Sequence, residues 1–561
     1  MSKSDSSDPA GSGPVEEEVR ADDQARRSIS DQESNGNEQT DTDSAEIHPR
    51  GFRLFLLLIS LFLGNFLVGY DSSCIGTLTP VITDQFNALN DLGWYQTAYL
   101  LGLCAPMLIY GRLYSIYSMK KLYISSFFIF IVGSILTAAS PASAAFILGR
   151  TLNGVGAAGI NAGVNIIISH STPLKTRPIH FAICGGVECA ALAFGPLIAG
   201  SIAASTTWRV CFYIVVPIAV FDMLVILFGV PRLRRPENAN LAQKEKIALV
   251  DWAGLVTELP MTVCFILALQ WGGTMYEWGN WRVVVLFVVT GVLAVGFLWV
   301  EHKAGEKAMV PLRMLRSRTV SFAGLVTFCN FAALWAVSFY LPLYFQAVRG
   351  ASTLGSGLMY LPVAISMSVF ALIGGPITTY IGYYSPILLL GTSLSAIGTG
   401  LLTTLHPHSS AGKWIGYQVI YGMGIGMSFQ PPFLAVQTVL EGAKVPMALV
   451  LLSFTQTFGG ILVLSVAQNV FLNKLAKNLV TSVPQVDPNV VLQHGAIGLI
   501  NVVPVQYRDL VLTAYNKAIV DVFYIALGLS CLSVLCAFGI EWKSVKKPAS
   551  TKSTSSSIEE K

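Results

Sequence analysis

Long apolar segments, repeated fourteen times along the chain, constrain this fold more than any other feature. A helix needs about 20 apolar residues to cross the hydrocarbon core of a bilayer. Inside that core every backbone polar group must be satisfied within the segment, which a helix achieves. The sequence therefore predicts an all-α polytopic membrane protein with fourteen transmembrane helices, at about 52–76, 92–112, 122–140, 143–168, 178–202, 209–230, 251–271, 281–300, 320–345, 355–375, 384–404, 412–434, 446–470 and 518–541.

Composition supports this class and excludes others. Apolar residues make up 53% of the chain and charged residues 12%, values typical of a membrane protein rather than a soluble enzyme. A net charge of +4 is too small to suggest a nucleic-acid partner. No GxxxxGK[ST] phosphate-binding motif, nucleophile–base pair or metal-ligand cluster is visible. We therefore expect no enzymatic activity, no metal and no cofactor.

Two short alignments indicate an internal repeat. Gly111 in GRLYSIYSMKK recurs as Gly375 in GPITTYIGYYSPIL, and the pattern from Arg150 through Gly154 and Gly156 recurs from Gln418. Transporters are commonly built from such repeats. A parallel duplication of about six helices, with the seventh and eighth spans inserted between the halves, explains both matches. Chance similarity between apolar helices is the alternative.

The repeat predicts how the chain is divided. Residues 1–50 are polar, lack large apolar side chains and are expected to be a disordered cytosolic tail. An N-terminal six-helix bundle at 51–230 and a C-terminal six-helix bundle at 320–541 flank a linker, 231–319, that carries the two inserted helices. The second bundle contains a proline-broken outer loop at 472–517, and a cytosolic tail, 542–561, ends the chain.

An even number of spans places both termini on one side, and the basic residues indicate which side. Short segments on the terminus side carry most of the Lys and Arg, including Arg112, Lys120 and Lys121. Cytoplasmic loops of membrane proteins carry such an excess. Both termini are therefore predicted to be cytosolic.

Asp71 and Arg150 are charged residues inside apolar spans. At 1.5 Å per residue, Asp71 lies roughly 28 Å along the first span and Arg150 roughly 10 Å below the outer end of the fourth. The two are therefore predicted at similar depths. One hypothesis is a pair whose attraction changes when Asp71 takes up a proton or substrate binds. A fixed structural ion pair is the alternative.

Glu188 lies near the middle of the fifth span, with no basic residue on its own helix. Carboxyl groups in membranes are costly and often mark a pathway. We expect Glu188 to line a central cavity as a proton acceptor or as a contact for a cationic ligand. A neutral, hydrogen-bonded glutamic acid is the alternative. Asp222 and Glu258 are weaker candidates of the same kind.

Other residues suggest mechanics and cargo. Gly154, Gly195 and Gly200 allow helix backbones to approach closely, and Pro196 removes a backbone hydrogen bond and bends the fifth span. Both features suit bundles that rock, although static packing explains them as well. Aromatic and amide side chains that could contact an amphipathic ligand in the second half are Tyr344, Gln346, Tyr360, Phe429 and Gln430.

At several of these motifs the chain resembles the major facilitator superfamily, in particular its fourteen-helix drug:proton antiporter branch and the fungal multidrug and toxin efflux pumps. The segments that carry the resemblance are YDSSCIGTLTPVITDQF, GRLYSIYSMKK, GRTLNGVGAAG, GPLIAG and FYLPLYFQAVRG. The resemblance makes Gly111, Arg112, Lys120 and Lys121 part of a conformational motif. That motif usually includes an acidic residue, where this chain has Tyr114 and Ser115. Arg112, Lys120 and Lys121 must then find other partners.

The resemblance implies proton-coupled efflux of small amphipathic molecules, drugs or a fungal toxin, by alternating access. The proton gradient is the expected energy source, the bilayer and a small-molecule substrate are the expected partners, and a monomer is expected. The expected location is the plasma membrane, with the vacuolar membrane as the alternative. Uptake of a solute such as a siderophore, or a non-transporting receptor, are the alternative functions.

Overall fold

The computed structural model describes residues 51–86, 91–173, 176–229, 241–273, 275–305, 308–310, 312–440, 444–483 and 505–545. The predicted disordered tail at 1–50, most of the C-terminal tail and the apolar stretch at 490–503 lie outside these residues. Within them, fourteen helical segments are long and apolar enough to cross a membrane. The predicted number of spans is therefore confirmed.

The spans are numbered here in chain order. Three of them consist of consecutive helical pieces, and short helices at Gln243–Ala248 and Leu312–Leu315 precede spans 7 and 9. The bounds are Phe52–Phe86 (span 1), Leu92–Cys104 with Met107–Ile116 (span 2), Met119–Ala138 (span 3), Ser143–Ser171 (span 4), Arg177–Ser205 (span 5), Trp208–Tyr213 with Val215–Leu224 and the π-helical turn Val225–Gly229 (span 6), Trp252–Trp271 (span 7), Trp281–Ala304 (span 8), Arg318–Ala347 (span 9), Thr353–Ile381 (span 10), Ser385–Leu402 (span 11), Ala411–Ser428 with Pro431–Val439 (span 12), Lys444–Ser482 (span 13) and Arg508–Ala537 (span 14).

The helices around the predicted outer loop are longer than the hydropathy pattern indicates. Span 13 continues to Ser482 and span 14 begins at Arg508, so the prediction of a proline-broken loop over 472–517 is wrong at both ends. Leu475 and Leu479 of span 13 belong to the same buried cluster as Val511 of span 14. This helix-to-helix packing sustains helical structure beyond the apolar runs, because burial of an apolar face stabilises a helix more than local propensity does.

Corresponding glycines make corresponding contacts in the two bundles. A Cβ atom at Gly154 of span 4 would overlap the backbone of span 2 at Tyr99, and one at Gly422 of span 12 would overlap span 10 at Val363. Spans 2 and 10 are the second helices of their bundles. The contacts thus follow the repeat inferred from sequence, and small residues allow close backbone approach in each bundle.

Two seams join the bundles. In the first seam, Gly111 of span 2 lies against Val450 of span 13. A Cβ atom added to Gly111 would be 3.0 Å from the Cβ atom of Val450. In the second seam, Gly375 of span 10 lies against Pro178 and Ala182 of span 5. Each seam therefore pairs the second helix of one bundle with the fifth helix of the other.

The bundles also touch at the side of the membrane where span 1 begins and span 14 ends, called here the terminus-side face. The Asn165 amide of span 4 donates to Ser453 of span 13 over 3.4 Å. Arg177, at the start of span 5, donates to Gln437 of span 12 over 3.5 Å. With the two glycine contacts, these hydrogen bonds close the terminus-side face.

Candidate functional site

Asp71 and Arg150 form a buried ion pair between spans 1 and 4. The Arg150 Nη1 atom lies 2.6 Å from Asp71 Oδ2, and both side chains are fully buried. Asn153 Nδ2 donates to the other carboxylate oxygen, Oδ1, over 3.3 Å. Both oxygens of Asp71 therefore have partners, and the structure brings together the two residues that were expected at similar depths.

The remaining surface of the Arg150 guanidinium is also occupied. Its Nε atom donates to the Tyr95 carbonyl over 3.2 Å, and its carbon lies 4.4 Å from the ring centroid of Tyr99. A planar guanidinium stacked on an aromatic face is held in one orientation. The Arg150 side chain therefore links spans 1, 2 and 4, an arrangement called here the bracket.

Glu188 of span 5 lies where the two bundles meet. Asn65 of span 1 approaches its carboxyl group, with 3.5 Å between Asn65 Nδ2 and Glu188 Oε2. Gln456 of span 13 lies close to the same carboxyl group and belongs to the other bundle. These three residues form a polar cluster that has no basic member and crosses from one bundle to the other. A change of charge on Glu188 would therefore act on the contact between bundles.

Asp222 of span 6 lies inside the N-terminal bundle instead. Its Oδ1 atom accepts a hydrogen bond from Ser60 of span 1, and the side chain is 1% exposed. Its Oδ2 atom is buried without a hydrogen-bond partner among the described residues. Asp222 thus lies close to another helix of its own bundle and does not join the cluster around Glu188.

Glu258 of span 7 lies outside that cluster as well. Its side chain is fully buried, and its Oε1 atom accepts a hydrogen bond over 2.9 Å from Thr262, one turn further along the same helix. The two weaker candidates therefore each accept a hydrogen bond from a hydroxyl group, Asp222 within the N-terminal bundle and Glu258 within the inserted pair.

Two of the predicted cavity residues are engaged in bonds that hold the C-terminal bundle together. The Tyr344 hydroxyl donates to the His406 carbonyl over 2.8 Å, and Tyr344 is fully buried. The Gln346 Nε2 atom lies 2.7 Å from the Ser356 hydroxyl oxygen of span 10. These contacts position spans 9 and 10 against their neighbours.

Of the other three predicted cavity residues, Gln430 and Phe429 face span 5, and Tyr360 contacts span 9. Gln430 Nε2 stands 2.9 Å from the position of a Cβ on Gly185, and Phe429 is 3.2 Å from the same position. Gln430 also lines a small cavity at the second seam, and its Oε1 atom is buried without a partner among the described residues. Tyr360 shares a hydrogen bond of 2.6 Å with Ser338 and is half-buried. Gly185 precedes Glu188 by less than one helical turn, so amide and aromatic groups lie close to the carboxyl cluster.

The predicted glycine contacts of span 5 are made with span 1. A Cβ on Gly195 would overlap the Ser73 hydroxyl, and a Cβ on Gly200 would lie 3.3 Å from Thr77. Pro196 lies inside the span 5 helix. The helix carrying Glu188 therefore packs tightly on the helix carrying Asn65 and Asp71.

Two of the three basic residues around the turn between spans 2 and 3, Arg112 and Lys120, bind backbone carbonyls. Arg112 Nε donates to the Leu249 carbonyl at the start of the inserted pair over 3.2 Å. Lys120 Nζ donates to the Leu227 carbonyl at the end of span 6 over 2.9 Å. Lys121 is exposed. Backbone carbonyls thus accept hydrogen bonds from Arg112 and Lys120 where the motif has Tyr114 and Ser115 in place of an acidic residue.

Sequence reasoning missed Asn65 and Gln456. Each is an amide side chain within an apolar span, and such residues more often join membrane helices through hydrogen bonds than take part in function. Their only sequence signal is polarity in an apolar setting, and the meeting with Glu188 depends on how three distant helices pack.

Sequence comparison matches residues 61–464 to the Major Facilitator Superfamily. An MFS-type efflux pump, MFS1, of Arthroderma benhamiae is 42% identical over 499 residues, which covers 89% of this chain and 93% of that protein. The efflux pump aflT of Aspergillus parasiticus is 39% identical over 90% of this chain and 98% of its own length.

Solved structures show the same fold. The proton:xylose symporter XylE aligns with a TM-score of 0.57 over 88% of this chain and 98% of its own, at 16% identity. The human organic anion transporter MFSD10 aligns with a TM-score of 0.54 over 86% of this chain and 100% of its own, at 13% identity. At these identities the likeness concerns the fold alone.

Proposed function

Because this chain belongs to the major facilitator superfamily, and is therefore a multi-pass membrane transporter and not an enzyme, we propose that it exports small amphipathic molecules in exchange for protons. The observation that carries the proposal is the position of Glu188 between Asn65 of one bundle and Gln456 of the other. A carboxyl group at this place can report its protonation to both bundles. Fungal relatives named efflux pumps support the direction of transport.

The bundle contacts support an alternating-access cycle. Gly111 against Val450 and Gly375 against Ala182 close the terminus-side face. If both termini are cytosolic in the plasma membrane, as the basic residues indicate, the closed face is the cytosolic one. This conformation would then be the one that releases cargo outside and accepts a proton.

Protonation provides the coupling in this proposal. An ionised carboxylate accepts hydrogen bonds from both amides, whereas a protonated one can donate one, so the link between spans 1, 5 and 13 differs between the two states. A proton that moves inward down a potential of 100 mV releases about 2.3 kcal/mol. The Asp71–Arg150 pair holds the N-terminal bundle rigid while this change occurs.

Reconstitution of the full chain in proteoliposomes with an imposed pH gradient tests the proposal, with a rhodamine dye as the amphipathic probe. Glu188→Gln is expected to lose dye accumulation driven by the gradient while it retains dye exchange at equal pH, because the amide keeps the shape of the site but cannot exchange a proton. Asp222→Asn is the matched control, since Asp222 lies inside one bundle, and it is expected to keep coupling. Full gradient-driven accumulation by Glu188→Gln would overturn the proposal.

A further inference from the structure

The inserted pair, spans 7 and 8, lies along the first seam. In the middle of the membrane, the Phe265 ring of span 7 stacks on the Phe458 ring of span 13, with ring centroids 5.4 Å apart and planes at 25°. Span 7 is therefore attached to the C-terminal bundle at this depth. Among the described residues, the main helix contacts of span 7 are with spans 2, 8 and 13, and that of span 8 is with span 7.

At the face opposite the termini, one turn of the inserted pair contacts both bundles. Asn469 Nδ2 of span 13 donates to the Gly272 carbonyl over 3.2 Å. The adjacent Trp271 ring meets the Trp94 ring of span 2 edge to face, 6.4 Å between centroids. Gly273 has a φ of +73° and lies directly against Asn469, so a side chain there would be strained and would overlap the amide. This turn is shaped to fit span 13 at Asn469.

At the terminus-side face, the start of the inserted pair is attached to the N-terminal bundle. Arg112 of span 2 donates to the Leu249 carbonyl. Glu301, at the end of span 8, is 1% exposed and accepts the backbone N–H groups of Met309 and Val310 at 3.3 and 3.0 Å. Asp251 caps span 7 through the Gly254 N–H over 2.8 Å. Both acids act electrostatically on Arg112, which follows directly on the seam glycine, Gly111.

We propose that the inserted pair is a strap across the first seam that limits how far spans 2 and 13 separate at the face opposite the termini. Its turn holds both of these spans, and its other end is anchored beside Gly111. In the described part of the chain the inserted pair makes its main contacts along the first seam, so we expect the opening at that face to be larger between spans 5 and 10. This inference rests on the proposed alternating-access function. It assigns Asn469 and Trp94 as positioning residues that set the width of the opening.

Distances measured by double electron–electron resonance in the reconstituted full chain test the strap. A spin label at Ala142, which directly precedes span 4 of the N-terminal bundle, and one at Val480 of span 13 report on the separation of the bundles on the side of the first seam. Labels at Ser205 and Ser352 report on the second seam, and all four residues are exposed. The background replaces Cys264 and Cys531, the two described cysteines that are not buried.

Asn469→Ala and, separately, Trp94→Phe are expected to add a longer-distance population at the first seam and to leave the second unchanged. Asn473→Ala is the matched control: Asn473 lies one turn further along span 13, and its amide donates to the Asn469 carbonyl of its own helix over 2.9 Å. Unchanged first-seam distances in both test variants overturn the strap.

The strap and the proposed function fail in distinguishable ways. The distance measurement needs no substrate and no gradient. First-seam widening in a protein that does not couple dye movement to protons would leave the strap and remove the proton-driven function. Intact gradient-driven transport together with unchanged first-seam distances would support the proton-driven function and remove the strap.

Discussion

Arg150 and Gln418 occupy equivalent places in the two bundles, four residues before equivalent glycines, yet their surroundings differ completely. Arg150 is fully buried and bonded to Asp71 and to the Tyr95 carbonyl. Gln418 is equally buried, but neither its Nε2 nor its Oε1 atom has a hydrogen-bond partner among the described residues. The nearby hydroxyl of Tyr421, one turn along the same helix, is likewise unpartnered.

The two places differ in how strongly their polar groups fix the packing of the helices. A buried ion pair with every polar atom satisfied stabilises one packing and resists rearrangement, because removal of either partner leaves an uncompensated charge. Neutral polar groups without a partner do not stabilise one packing over another in this way. The N-terminal bundle therefore contains a rigid bracket, and the equivalent part of the C-terminal bundle has retained the helix packing without it.

The largest expected effect comes from making Arg150 resemble its counterpart. Arg150→Gln leaves the Asp71 carboxylate buried without a cation, which costs about 3–5 kcal/mol in the free energy of unfolding. We expect a large fall in the midpoint of thermal unfolding of the detergent-solubilised protein. The double variant Asp71→Asn/Arg150→Gln is the control and should recover most of the loss, since it removes the charge too. A double variant as unstable as the single one would show that the ion pair is not the source of the difference.

The comparison also shows what sequence alone could supply. Apolar runs predicted all fourteen spans, because hydropathy is a local property. Rise along the helices predicted that Asp71 and Arg150 lie at similar depths, because both lie on continuous apolar segments, and the pairing itself was a hypothesis. The convergence of Asn65, Glu188 and Gln456 was not predictable, since it depends on the packing of three distant helices. The extension of span 13 beyond its apolar run was missed for the same reason, as Leu475 is buried by packing against other helices.

A second prediction tests where the two bundles agree. Gly154→Ala and Gly422→Ala should destabilise the protein by similar amounts, about 1–3 kcal/mol each, because the added methyl group overlaps backbone atoms of span 2 or span 10. Gly416→Ala is the control, since nothing lies within 4 Å of its added Cβ. Thermal unfolding midpoints would show the effect. If only one of the two variants, Gly154→Ala or Gly422→Ala, lost stability, the repeat would not preserve this packing.

The smallest expected effect concerns Gln418 itself. Gln418→Leu keeps a similar volume and removes two buried polar atoms that have no protein partner, so the variant should be more stable by about 1 kcal/mol, the net worth of an unmet hydrogen-bonding group. Gln437→Leu is a suitable control because that side chain, also buried on span 12, donates to the Phe433 carbonyl over 3.0 Å and should lose stability instead. If Gln418→Leu were destabilised as much as the control, Gln418 would have to be engaged by a partner in the membrane. The C-terminal bundle would then contain a second polar bracket, and the contrast with Arg150 would be one of charge alone.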